Sequence, residues 1–132
     1  MPSNLNDRLR SENELVTVVL GHCFKIHSKW GPGMLESVYE ELLVHYLRQD
    51  GLFVEQQKAI PFREGDVKLN VGFRADIIVD KKLLVELKSV EMLAPVVFKT
   101  VLTYLRILDL RLGLVVNFGE ASLSKGIKRV AN

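Results

Sequence analysis

The sequence predicts one α/β domain: two leading helices, a meander of antiparallel strands, and a helix–strand crossover that closes a mixed central sheet. Three observations carry this. Apolar residues recur at helical spacing twice within the first fifty positions. Two β-branched, leucine-rich runs lie inside Arg74 to Val90, split by the polar stop Asp80-Lys81-Lys82. A helical stretch from about Pro95 to Asp109 then leads into the apolar run Leu112 to Phe118. Strand, helix, strand at that length is a crossover unit, so the last strand should run parallel to the Leu83–Val90 strand.

Residues 1–10 are polar and read as a loosely attached N-terminal segment, leaving 11–132 as the domain. Ser11 followed three residues later by Glu14 is a capping-box pattern. Leu15, Val18, Val19, His22, Cys23 and Ile26 then mark the apolar stripe of a helix to about Ser28. His22, Cys23 and His27 lack the further ligands a zinc site needs, so core filling is their expected role. Trp30-Gly31-Pro32-Gly33 should break the helix, with a second running from near Gly33 to about Asp50. Its expected apolar face is Leu35, Val38, Tyr39, Leu42, Leu43 and Tyr46, and its polar face Ser37, Glu41, His45 and Arg48. Glu36 stands three before Tyr39 and seven before Leu43, a carboxylate on a buried stripe. It could favour the helix N-terminus or serve a site. Leu52 to Ile60 and Pro61 to Phe73 read as further strands turning at Glu64-Gly65-Asp66, paired in the meander with Val67, Leu69 and Val71 on one side and Lys68 and Asn70 on the other. The helix from Pro95 should bury Val97, Val101, Tyr104, Leu105 and Leu108. The tail with Lys125, Lys128 and Arg129 reads as a solvated basic face.

The charged residues of the central hairpin are the candidate chemistry. Side chains alternate along a strand, so Glu86 and Lys88 share a face. If Asp80, Lys81 and Lys82 form a three-residue loop, Val79 pairs with Leu83 and Asp76 lies opposite Glu86. Like charges facing across strands are destabilising, and two carboxylates so placed call for a cation. An isolated E-x-K is commonly an ordinary surface pair. Here both strands are apolar on both faces, where unpaired carboxylates are rare.

The D-x9-E-x-K spacing across a hairpin resembles the metal-binding signature of the PD-(D/E)XK nuclease superfamily, and the element order resembles its restriction-endonuclease-like α-β-β-β-α-β core with an extra N-terminal helix. Gly33-x-x-Glu36-x-x-Tyr39, Arg74-Ala75-Asp76, Val85-Glu86-Leu87-Lys88, Leu102-Thr103-Tyr104-Leu105, Leu112-Gly113-Leu114 through Asn117-Phe118, and Gly126-Ile127-Lys128-Arg129 are together similar to the GxxExxY family, from about Leu15 to Val130. The resemblance implies Mg²⁺ or Mn²⁺ held by Asp76, Glu86 and the carbonyl of Leu87, with Glu36 aimed at the same metal directly or through water. Lys88 would orient or help deprotonate the attacking water. Gln56 and the retained Tyr104 are implied substrate contacts, with Lys125, Lys128 and Arg129 meeting phosphates. The family's following helix usually carries a histidine, then a glutamine four residues before the tyrosine; Val97 and Thr100 stand at those positions.

Composition narrows the rest. Apolar content of 48% and charged content of 26% fit a globular domain, and a net charge of +2 decides nothing about nucleic acid. The single cysteine permits no internal disulfide, no signal peptide opens the chain, and no apolar run reaches membrane-spanning length. The expected compartment is the cytoplasm, without membrane attachment. Neither a P-loop nor a dinucleotide fingerprint occurs. Two classes of function follow: a metal-dependent nuclease acting on DNA before RNA, and a module of the same fold that binds nucleic acid or protein without cutting. Small nucleases of this fold often dimerise to reach both strands, so a homodimer is among the expectations.

Overall fold

The computed structural model describes residues 10–69 and 72–132. The expectations for the N-terminal segment before Arg10, and for Asn70 and Val71 in a strand, lie outside the described residues.

Helix α1 spans Glu12–Trp30. Its N-terminus is the expected capping box: the Ser11 hydroxyl accepts from the Glu14 N–H at 3.2 Å, and the Glu14 carboxylate accepts from the Ser11 N–H at 3.1 Å. Two of the donors that a helix start leaves without partners are thereby satisfied. It ends two residues later than anticipated, at Gly31, whose φ of 74° is a left-handed value that glycine adopts without strain. Helix α2, Glu36–Gln49, starts three residues after Gly33.

The buried stripe of α2 is rotated from the expected one. Leu35 and Val38 are exposed, at 73% and 39%, while Glu40 and Val44 are buried beside Tyr39, Leu43 and Leu47. Positions 36, 40, 43, 44 and 47 follow the 3.6-residue period more closely than a stripe drawn through every apolar residue. His22 also departs from the core role expected of it. It is half-buried, meets Asp50 of the helix turn at 2.6 Å and stacks on Tyr46, whereas Cys23 is fully buried.

Strands β1 (Val54–Ala59), β4 (Arg74–Val79), β5 (Leu83–Lys88), β6 (Leu112–Asn117) and β7 (Ile127–Ala131) form one sheet in the order β1-β4-β5-β6-β7. The β4–β5 loop is as anticipated: Val79 pairs with Leu83, and the Lys82 N–H bonds the Val79 carbonyl at 3.0 Å. Helix α3, Val96–Leu108, makes the crossover, and β6 runs parallel to β5.

Two sequence expectations fail here. The short strands β2 (Phe62–Glu64) and β3 (Val67–Leu69) form their own ribbon, and β1 pairs directly with β4 instead of through a meander. The tail is not merely a solvated basic face: Ile127–Ala131 joins the sheet antiparallel to β6. Its alternation puts Lys128 and Arg129 on opposite faces.

Helices α1 and α2 cover one face, packing Leu15, Val19, Cys23, Tyr39 and Leu43 against Ile77, Val79, Val85, Leu87 and Val116. Helix α3 covers the other, with Val101 and Leu105 over Ile78, Leu84 and Val115. The three-layer arrangement buries both faces of the central strands, which explains their near-continuous apolar sequence. Among the described residues, no helix is long and apolar enough to cross a membrane.

Candidate functional site

The β4–β5 ladder ends at the pair Ile77–Val85, and there the two carboxylates take over. Glu86 Oε1 accepts from the Asp76 N–H at 3.0 Å, and Asp76 Oδ2 accepts from the Leu87 N–H at 3.0 Å. Each acid satisfies a backbone donor on the opposite strand, and this arrangement holds two carboxyl groups together. Glu86 is only 7% exposed. Burial, then the neighbouring charge of Asp76, pushes its pKa up to about 8. Lys88 opposes that rise.

Glu36 enters from the first turn of α2. Burial raises its pKa, Asp76 adds to the rise, and Lys88 and the Ser89 N–H work against it. The Ser89 hydroxyl donates to the Met34 carbonyl at 3.0 Å, tying the start of α2 to the exit of β5. Glu36, Asp76, Glu86 and Lys88 are thus electrostatic neighbours, drawn from three elements, α2, β4 and β5.

Two further residues belong to the site that sequence reasoning passed over. Glu40, 6% exposed, accepts from Gln56 at 2.7 Å and from Gln57 at 2.8 Å. Burial raises its pKa as well, the two amides opposing. Gln57 Nε2 also reaches Asp76 Oδ1 at 3.3 Å, so one amide links the buried acid of α2 to the acid of β4. Gln57 holds this place with φ at 51°, a left-handed conformation inside a strand that costs a non-glycine residue about 1–3 kcal/mol. The only sequence signal was Glu40 on the same stripe as Glu36. Gln56, expected at the substrate, lines the same cleft as Asp76 and bonds Glu40 and, at 3.1 Å, Glu41.

These groups open onto a cleft of about 610 Å³ lined by Glu36, Ser37, Glu40, Glu41, Gln57 and Asp76, among others. Among the described residues no group of three or more His, Cys, Asp and Glu side chains forms a ready-made metal cage. The donor set nevertheless suits a hard cation. Asp76 and Glu86 each commit one oxygen to the backbone, the other oxygen of Asp76 meets Gln57 at a long 3.3 Å, and Mg²⁺ characteristically takes one or two carboxylates and retains water.

The remaining expected residues lie elsewhere. Tyr104 packs edge-on against Phe73, ring centroids 5.9 Å apart, on the α3 side. Lys128 pairs with Val115, which pairs with Glu86. Lys128 therefore shares the face of Glu86, two strands or about 10 Å away. Arg129 points to the other face and donates to Asn13 at 2.7 Å. Lys125 sits in the short 3-10 turn Leu123–Gly126, exposed and before β7. Val97 is half-buried on α3 and Thr100 is exposed.

A family model described as the PD-(D/E)XK nuclease superfamily matches residues 13–130. Comparisons with curated proteins and with solved structures find no match.

Proposed function

The chain belongs to the PD-(D/E)XK nuclease superfamily, and we propose that it is a nuclease of the GxxExxY type, hydrolysing phosphodiester bonds of DNA before RNA with Mg²⁺ or Mn²⁺. One observation carries this reading: Asp76 and Glu86 cap each other's strands where the ladder ends, which brings two carboxyl groups to one place beside Lys88. A buried Glu86 facing the half-buried Asp76 is costly to ionise, and a scaffold without a cation has no use for it.

Asp76 and Glu86 would hold the cation with the Leu87 carbonyl and water, and Glu36 would act on the same water shell from α2. When bound, the cation supplies Lewis-acid polarisation of the phosphodiester and acidifies water. Lys88, on the same face as Glu86, orients the attacking water and offsets charge developing on the phosphate. That interaction grows in the transition state, so it serves rate more than binding. Gln57 fixes the position of Asp76 from the side of Glu40. Lys128, on the face of Glu86, is placed to meet a substrate phosphate.

The second reading, binding without cutting, is favoured by Val97 and Thr100, which offer the site no amide where relatives carry one. A cleavage assay on single-stranded, duplex and branched DNA and on RNA, in Mg²⁺, Mn²⁺ or chelator, separates the two. The nuclease reading expects metal-dependent cutting by the wild type, and Lys88→Ala that binds equally but cuts at least about a hundredfold more slowly. Binding in chelator with no cutting of any substrate would leave the binding module standing.

A further inference from the structure

The cleft beside the paired carboxylates is acidic, with Glu36, Glu40, Glu41 and Asp76 on its walls, so it repels a polyanion unless other groups hold the strand. A second cavity, of about 210 Å³, has the opposite character. It lies between α1 and α2 and is lined by His22, Lys25, Ile26, Lys29, Trp30 and Tyr46. That is below the size of a typical small-molecule pocket and suits one planar ring.

Its walls carry aromatic faces and positive charge. Trp30 is 54% exposed, and the Lys29 ammonium lies 5.3 Å from the centre of its ring. His22 stacks on Tyr46 at 5.5 Å with the rings 12° apart, and Asp50 holds His22 at the far end. Lys25 and Lys29 are exposed, and among the described residues neither makes an ion pair. A large exposed tryptophan beside lysines that have no carboxylate partner among the described residues is surface that neither core packing nor surface ion pairing explains. The place is also fixed relative to the carboxylates. The Tyr39 hydroxyl donates to the Gly31 carbonyl and accepts from the Met34 N–H at 3.0 Å, which pins the Trp30 end of α1 to the Glu36 end of α2.

We propose that this cavity is a base-stacking subsite for single-stranded nucleic acid, with a nucleobase against Trp30, beside the His22–Tyr46 stack, and its phosphates on Lys25 and Lys29. The inference rests on the reading of the protein as acting on nucleic acid, and extends it to a strand held outside the acidic cleft. Aromatic faces give affinity without sequence preference, because every base has a π face. The lysines add a salt-dependent component.

Trp30 is the chain's single tryptophan, so its fluorescence reports on this cavity alone. The test is titration of the full chain, in chelator, with a single-stranded deoxyoligonucleotide and with an abasic oligonucleotide of equal length. The base-bearing strand should quench Trp30 and the abasic strand should not. Lys25→Glu with Lys29→Glu should weaken quenching at least about tenfold in affinity and flatten its salt dependence. Trp30→Ala, read by anisotropy of a labelled strand, should lose about tenfold. Melting curves of each variant establish that the fold is intact. Binding without quenching, or equal quenching by the abasic strand, overturns the subsite and leaves the nuclease reading untouched. Quenching without cutting in any metal keeps the subsite and ends the nuclease reading.

Discussion

Glu86 is where charge, burial and backbone geometry meet. Its carboxyl titrates near 8 when folded against about 4.5 when unfolded. The folded state therefore binds the proton more tightly. The stability this contributes is complete below the unfolded value and is lost as pH rises through about 8. In chelator the wild type should lose stability between pH 5 and 8 by up to about 1.4 kcal/mol per pH unit from this group. Glu86→Gln, which can still accept from the Asp76 N–H, should flatten that slope, and melts of the two proteins across pH check it. A cation at the pair must displace the same proton, so Mg²⁺ uptake at pH 7 should release protons, measurable by calorimetry in buffers of different ionisation enthalpy. Gln57 gives a second test at this scale. Gln57→Leu removes a donor from buried Glu40 and should destabilise by about 1–3 kcal/mol in a denaturant titration. Asp76, Glu86 and Lys88 were legible from spacing, because the period of a strand and a three-residue loop determine which residues face each other. Glu40 and Gln57 were not. The first depended on the rotation of a helix stripe by one position, and the second on a left-handed kink that no glycine marks.

At the scale of elements, the exit of β5 is held by the end of β6. Asn117, fully buried, accepts from the Val90 N–H at 3.0 Å and donates to the Val90 carbonyl at 2.9 Å. Its Oδ1 also accepts from the Gly119 N–H at 3.0 Å. A side chain that replaces a ladder in this way fixes the segment following Lys88, next to Ser89 and the start of α2. Asn117→Ala leaves two backbone groups of Val90 without partners and should cost about 2–5 kcal/mol. Gly119→Ala would place a Cβ 2.2 Å from the Val90 carbonyl oxygen, a clash with backbone that cannot rotate away. Both should lower the denaturation midpoint, and Asn117→Ala should slow cutting as well as weaken the fold, because the Lys88 strand loses its anchor. The crossover and the parallel pairing of β6 with β5 were readable because a long apolar strand after a helix has few places to go. Strand β7 was not, since Ile127-Lys128-Arg129-Val130-Ala131 carries only two large apolar residues and reads as polar tail. It became a strand because β6 offered a free edge. The β2–β3 ribbon and its turn at Glu64-Gly65-Asp66 were readable, but its separation from the main sheet was not, because short exposed strands satisfy their hydrogen bonds in a hairpin without needing that sheet.

For the whole molecule, the layers explain why an unfavourable pair persists. Both faces of the sheet are covered, so the core on each side stabilises strands whose ends carry two facing carboxylates. The charge is segregated rather than strong: a net +2 conceals an acidic cleft and lysines held elsewhere. Nucleic-acid binding should accordingly weaken steeply with salt, in Lys88→Ala as in the wild type. The central claim is that Asp76 and Glu86 form a divalent-cation site. Its most direct test is thermal melting of the wild type and of Asp76→Asn, each with and without Mn²⁺ or Mg²⁺. Above about pH 8, where both acids are charged, Asp76→Asn removes the repulsion while keeping an acceptor for the Leu87 N–H, so without metal it should melt at or slightly above the wild type. Metal at a hundredfold excess over Kd should stabilise the wild type by about 2.7 kcal/mol, on the order of 10 °C, and leave Asp76→Asn unmoved. Equal shifts in the two proteins, or none in either, would contradict the account.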